Sequence, residues 1–165
     1  MDKVLDKKGK LLLGIFRFGK KHLERKNLVD KICFFLYKIL NIIVGIGFFG
    51  SEIQPSATIS DELYFYHPYG IIINANSVIE KGCVIRQQVT IGNKGLEDTE
   101  CPQIGKNVEI GAGAKIIGGI SIGDNSVIGA NAVVTKTFPP NAILVGVPAK
   151  NIAKNKGGNL NASNS

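Results

Sequence analysis

Residues 104–138, IGKNVEIGAGAKIIGGISIGDNSVIGANAVVTKTF, carry an aliphatic residue at every sixth position: Ile104, Ile110, Ile116, Ile122, Ile128 and Val134. Six matches neither the helix nor the strand period. Two places before these residues stand further apolar or small side chains, Val108, Ala114, Ile120, Ser126 and Ala132. Residues at i and i+2 of a strand share one face, so each repeat reads as a very short strand with one inward side. Three places after each aliphatic come Asn107, Gly113, Gly119, Asn125 and Asn131, residue types that tolerate the left-handed backbone of a sharp corner. Strand and corner alternating at this short period predict a hexapeptide-repeat β-helix, in which each apolar row is buried against the coils above and below.

The tiling runs backwards through Ile91, Ile85, Ile79 and Ile73, with corners expected at Gln88, Gly82 and Asn76. Gln88 alone departs from the Gly/Asn rule. The spacing breaks twice: Ile59 to Ile73 exceeds two hexads by two residues, and Ile91 to Ile104 exceeds two by one. The excess is expected to bulge from the prism near His67-Pro68-Tyr69-Gly70 and within Asn93 to Pro102. Insertions in a repeat scaffold are frequent sites of function.

A chain of 165 residues with 44% hydrophobic residues suits a single globular domain. Few aromatics and 20 glycines agree with a core of stacked aliphatics. Cys33, Cys83 and Cys101 follow neither metal-ligand nor disulfide spacing, so no metal is expected and a reducing cytoplasm is the natural compartment. The first apolar run follows a charged segment without a small-residue cleavage site, so no export signal is expected. The net charge of +7 resides in residues 1–50, where eleven Lys/Arg face four Asp/Glu; the remainder has nine of each. Such an arm suits an anionic membrane surface, an acidic polymer or plain solvation, and no nucleic-acid motif accompanies it.

Three segments follow: a basic helical region, 1–50, capping the coil; the β-helix, 51–152; and a flexible polar tail, 153–165. Between Asn27 and Gly47 the polar residues Asn27, Lys31, Lys38 and Asn41 form one stripe, into which only Phe34 intrudes. This predicts an amphipathic helix whose broad apolar face is buried on the open end of the coil or on a neighbouring subunit, with in-plane membrane contact as the alternative. Lys38 near the middle of the apolar run argues against a spanning helix.

His67 is the chemically distinctive residue. It lies at the first break in the tiling among Tyr64, Tyr66 and Tyr69, and imidazole suits proton transfer near neutral pH. On spacing alone, catalytic and structural roles are equally open. His22, in the basic arm, is expected at the surface, and Cys83 in the core.

The segments HPYGIIINANSVIEKGCVIRQQVTIGNKG (67–95), CPQIGKNVEIGAGAKIIGGISIGDNSVIGANAVV (101–134) and GVPAK (146–150) resemble the serine acetyltransferase branch of the hexapeptide acyltransferases, and more closely the exopolysaccharide O-acetyltransferases of colanic-acid type. The resemblance implies a left-handed parallel β-helix assembled as a homotrimer, trimers pairing in some serine acetyltransferases, with active sites between neighbouring prisms. It implies acetyl-CoA as co-substrate and no tightly bound cofactor. His67 falls at the general-base position, and Glu52 at that of the carboxylate holding the base. Gly92 and Asn93 match the loop whose backbone meets the oxyanion. Ala112 and Ala130 match positions passed by the pantetheine arm, and Lys150 the basic residue near the nucleotide phosphates. Tyr66 and Cys101 stand where serine acetyltransferases carry an aspartate and a histidine that hold the amino acid. These departures favour a sugar hydroxyl of capsular, exopolysaccharide or lipopolysaccharide assembly as acceptor, with Tyr66, Tyr69, Arg86, Gln87, Gln88 and Cys101 around it. The expected location is the cytoplasm or the inner face of the membrane. Serine O-acetyltransferase and a non-catalytic trimeric scaffold are the alternative readings.

Overall fold

The structure, a computed structural model, describes residues 6–153; most of the predicted tail lies outside the described residues. Two helices, α1 (Lys7–Lys21) and α2 (Leu28–Leu40), are followed by a π-helical continuation of α2 (Asn41–Phe48). Fifteen short strands then run from β1 (Glu52–Ile53) to β15 (Lys150–Asn151). Through β13 every third strand stacks in parallel on the one before it, and β14 stacks on β12 after an isolated bridge of Phe138 to Ile122, forming the three walls of a prism: sheet A in the order β1-β4-β7-β10-β13, sheet B β2-β5-β8-β11 and sheet C β3-β6-β9-β12-β14. The antiparallel β15 closes sheet C against β14.

The hexad residues form the core. Ile73, Ile85, Ile91, Ile116 and Val134 are fully buried, as are the small or apolar residues two places earlier, including Ala57, Cys83, Val89, Val108, Ala114 and Ala132. The corners between sheets B and C and between C and A use left-handed residues: Gly82, Asn107 and Asn125 at the first, and Gln88, Gly113 and Asn131 at the second. At Gly113, where φ is 74°, the side-chain oxygen of Asn131 in the next coil stands where a Cβ would be, so a larger residue would be strained and would displace that side chain.

Two corner expectations fail. Asn76 is not left-handed, and the left-handed glycine near Ile116 is Gly118 rather than Gly119. The A-to-B edge turns differently: Ser77 N–H donates to Asn74 O at 3.1 Å, closing a tight turn that needs no positive φ. The second insertion is larger than the one surplus residue expected. From β7 (Thr90–Gly92) the chain enters sheet B directly at β8 (Gln103–Ile104), so residues 93–102 form one projecting loop.

The first coil is capped by α1. Leu12, Leu13 and Phe16 join the prism core together with Phe49, and Gly9 lies so close to the Phe65 carbonyl that a Cβ would overlap it. This covers backbone that would otherwise be an open strand edge. Helix α2 does not lay its broad apolar face on the end of its own coil, the first of the placements expected for it. Phe34, the intruder in its polar stripe, is buried together with Tyr37 against Ile15 of α1, and Gly19 makes room for the Tyr37 ring. The broad apolar face points outward. His22 is likewise not a free surface residue: its Nδ1 pairs with Asp30 Oδ1 at 2.8 Å, joining α1 to α2.

Removing a buried hexad side chain leaves a cavity the stacked coils cannot close, so Ile116→Ala should lower unfolding free energy by about 3 kcal/mol in denaturant titration. The exposed Val127→Ala in the same repeat should change it by under about 0.5 kcal/mol.

Candidate active site

The C-to-A edge carries His67. The corner from Tyr66 to Gly70 holds the two extra residues of the first insertion, and it turns through two left-handed residues, His67 at φ 51° and Gly70 at φ 68°. Pro68 beside it is buried, while the His67 side chain is exposed. Ser51 underlies the corner: its hydroxyl donates to Pro68 O at 2.9 Å and accepts from Ile71 N–H at 2.9 Å. Gly70 N–H donates to Phe49 O. Glu52 follows directly on this 49–51 segment, so His67 and Glu52 share the same edge of the first coil.

Their side chains are not joined by a hydrogen bond or ion pair among the described residues. Glu52 Oε1 instead accepts from Gln54 Nε2 at 2.5 Å, and its charge, after burial, helps raise the Tyr37 hydroxyl above the usual tyrosine range. The acid that contacts the His67 residue is Asp6. Its Oδ1 caps α1 by accepting from Lys8 N–H at 2.9 Å, and its Oδ2 accepts from the His67 backbone N–H at 2.8 Å. Burial pushes the Asp6 carboxyl up, but these two N–H donors and the nearby His67 and Lys8 charges outweigh it and hold the group below its ordinary value of 3.8. Lys8 Nζ donates to the Tyr69 hydroxyl at 3.0 Å. Asp6 and Lys8 thus pin the His67 corner to the cap, a role that sequence reasoning missed. The one local signal was an Asp immediately ahead of a helix.

Further down this edge the coils are linked vertically: Gln88 N–H donates to Tyr69 O, Gly113 N–H to Gln87 O and Asn131 N–H to Ala112 O, at 2.8, 2.9 and 2.8 Å. Gln87, Ala112 and Ala130 therefore lie in a column beneath Tyr69, in the corner that carries His67, each step about 4.8 Å. Lys150 is exposed on β15 at the far end of sheet C. Tyr66 is half-buried under the Arg86 guanidinium, 5.9 Å from its ring centre. Tyr69 is less available than expected for an acceptor: its ring packs on Phe49 at 5.4 Å and its hydroxyl is held by Lys8.

Gly92, Asn93 and Cys101 lie at the other end of sheet A, on the A-to-B edge. Asn93 Oδ1 accepts from Asn74 Nδ2 at 2.9 Å, and its own Nδ2 donates to Gly95 O at 2.7 Å, fixing the start of the loop. Cys101, buried at the loop's end, helps line a groove of about 350 Å³ with Asn76, Thr99, Glu100, Gln103, Gly119, Ile120 and Ser121. Gln88 and Asn93, at opposite ends of β7, are roughly 16 Å apart along the strand. The residues singled out in the sequence therefore fall into two groups on two edges of one sheet. Among the described residues, no cluster of His, Cys, Asp or Glu is arranged to hold a metal.

Residues 101–136 match the family model for the bacterial transferase hexapeptide (six repeats). The chain is 40% identical over 127 residues to the putative colanic acid biosynthesis acetyltransferase WcaB of Escherichia coli K12, covering 77% of this chain and 78% of that one. It is 42% identical over 115 residues to the serine acetyltransferase of Buchnera aphidicola subsp. Schizaphis graminum, covering 68% of this chain but 44% of the relative. The solved serine acetyltransferase of Brucella abortus strain S19 in complex with coenzyme A superposes with a TM-score of 0.77 at 30% identity, over 89% of this chain and 56% of that one. The chain thus spans about half the length of the serine acetyltransferases it matches.

Asp6 yields a prediction. Because its carboxyl is held low, its contribution to the folded corner is complete above pH 3.8 and is lost as pH falls through the lowered value. Asp6→Ala should cost about 1 kcal/mol, the usual loss for a helix cap, and should speed hydrogen exchange at the His67 amide at neutral pH. Asp6→Asn should keep the cap and remove the acid dependence.

The prism, its hexad core and these likenesses place the chain in the hexapeptide-repeat acyltransferases, left-handed β-helix enzymes that use acetyl-CoA, within the branch shared by serine acetyltransferases and colanic-acid-type acetyltransferases.

Proposed function

We propose that the protein moves the acetyl group of acetyl-CoA to a hydroxyl of a saccharide built into a capsule, exopolysaccharide or lipopolysaccharide, in a site completed between neighbouring copies of a homotrimer. The observation that carries this reading is the separation of the site residues onto two edges of sheet A. One prism holds His67 at one edge and the 93–102 loop with Cys101 at the other, and a second copy laid against the first brings unlike edges together.

In that cleft the exposed His67 imidazole removes the proton from an acceptor hydroxyl as the oxygen attacks the thioester carbonyl. The tetrahedral oxyanion is met by backbone N–H at Gly92–Asn93. Collapse expels the CoA sulfur, which takes the proton back from the imidazolium, so acetyl ester and CoA thiol are the products and no acyl-enzyme forms. Glu52, on the same edge, reaches the imidazole once its bond to Gln54 is exchanged, and there fixes the ring tautomer. Ala112 and Ala130, small and one coil apart, leave the backbone open to the amide chain of pantetheine, and Lys150 offers positive charge for the phosphates.

The acceptor reading rests on the residues that replace an amino-acid clamp. Tyr66 under Arg86 offers a ring face to a sugar. The groove at Cys101 holds Glu100 and neutral polar residues without a cation for an amino acid's carboxylate. The greater coverage of the colanic-acid relative, 78% against 44%, points the same way. The serine acetyltransferase reading is favoured by the match to solved enzymes of that activity.

Thiol release from acetyl-CoA, measured with L-serine and with a panel of neutral, amino and acidic sugars, decides between them. Turnover is expected with a sugar; serine-selective turnover would refute the proposed acceptor. His67→Ala should lower kcat at least about a hundredfold, within the range of general-base loss, and leave CoA affinity unchanged.

A further inference from the structure

The outward face of α2 and its π-helical continuation has no role in the acetyl-transfer reading. Leu28, Ile32, Phe35, Ile39, Ile43 and Ile46 follow one another along it at helical spacing, each at least 39% exposed and four of them at 60% or more. A row of this length on one side of a helix exceeds the scattered apolar residues of an ordinary surface. Beside it lies a groove of about 500 Å³ lined by Glu24, Arg25, Lys31, Phe34, Phe35 and Lys38. Two of its three cations converge on the buried Phe34: the Arg25 guanidinium is 5.0 Å and the Lys38 ammonium 5.6 Å from the ring centre. Glu24, the one acid in the lining, is neutralised by Lys26 at 2.6 Å.

We propose that this face is a membrane-docking surface, with the apolar row lying in the plane of an anionic bilayer and the Arg25–Lys31–Lys38 groove receiving lipid phosphate groups. The chemistry is that of an interfacial helix: apolar side chains enter the acyl boundary while cations on the flank meet the headgroups. Charge complementarity selects lipid over a second copy of the chain, because the same basic groove on two copies would bring like charges together. The helix lies flat and does not span. Leu28–Phe48 is long enough to cross a bilayer, but Phe34 and Tyr37 fix one side of it to α1, and α1 is tied through Asp6 to the His67 corner. Docking in this way would set the prism on the membrane surface beside acceptors anchored in lipid.

Flotation of the full-length protein with phosphatidylcholine vesicles, with and without phosphatidylglycerol, tests the assignment. Binding is expected only when the anionic lipid is present and should be released by alkaline carbonate. Arg25→Gln/Lys31→Gln/Lys38→Gln should lower partitioning about a hundredfold, since each cation near an anionic surface contributes roughly fivefold. Ile32→Gln/Phe35→Gln/Ile39→Gln, all at exposed positions, should abolish binding while circular dichroism and oligomeric state stay unchanged. Equal binding to neutral vesicles, or undiminished binding by the cation variant, would overturn the proposal. So would retention after carbonate, or an apolar-face variant that dissociates into smaller oligomers yet still floats, which would assign the face to a contact between copies.

Discussion

The aliphatic columns inside the prism constrain everything else in the molecule. Each hexad places one side chain over its counterpart in the next coil, so Ile73, Ile91, Ile116 and Val134 form a continuous stack beneath sheet A. A one-residue slip would turn this stack outward, and the register is therefore strongly specified. Because the walls are fixed, any surplus residue must leave at a corner, and the two surpluses leave at opposite ends of sheet A. The placement of His67 and of the projecting loop is thus a consequence of where the repeat is interrupted.

The same constraint explains how the cap acts at a distance. An open β-helix end leaves strand backbone unpaired, and α1 covers it through Leu12, Leu13 and Phe16. Once α1 is seated, its N-terminal Asp6 sits over the first corner and binds the His67 backbone, while Lys8 holds Tyr69. A helix whose first task is to close the core thereby holds the functional corner in its left-handed conformation, which is costly for a non-glycine residue. Its partner α2 needs only a narrow seam, Phe34 and Tyr37, and keeps its wide apolar side for the outside.

What could be read from sequence followed from how local the physics is. The inward rows and the left-handed corners at Gly82, Asn107 and Asn131 were legible because strand, turn and period all lie within a few residues. The A-to-B corners were misread because the turn closed by Asn74 and Ser77 demands no special residue at Asn76, and because the corner after β10 places its left-handed glycine at Gly118, one residue ahead of Gly119. The spacing from Ile91 to Ile104 read as two hexads and one surplus residue because counting cannot distinguish a coil wall from a loop. Hydropathy found the apolar side of α2 but not its direction, and Phe34, which seemed an intruder, was the residue that marked the buried side. The Asp6–His67 contact spans 61 positions and left no trace in any local pattern. His67 stood out at the break in the tiling, while its assignment as base, and Glu52, Gly92 and Asn93, came from resemblance; the structure adds that they occupy two edges and that Glu52 is bonded to Gln54.

The central claim is that each catalytic cleft is built from unlike edges of two copies, and complementation between subunits tests it most directly. A chain carrying His67→Ala and a chain with residues 93–102 shortened to a tight turn should each be inactive as pure oligomers. Mixed after dissociation and reassembled, they should regain a substantial fraction of acetyl transfer, because some clefts pair an intact His67 corner with an intact loop. Complete failure to recover activity, in mixed assemblies shown to contain both chains, would contradict the account and place the whole site within one prism.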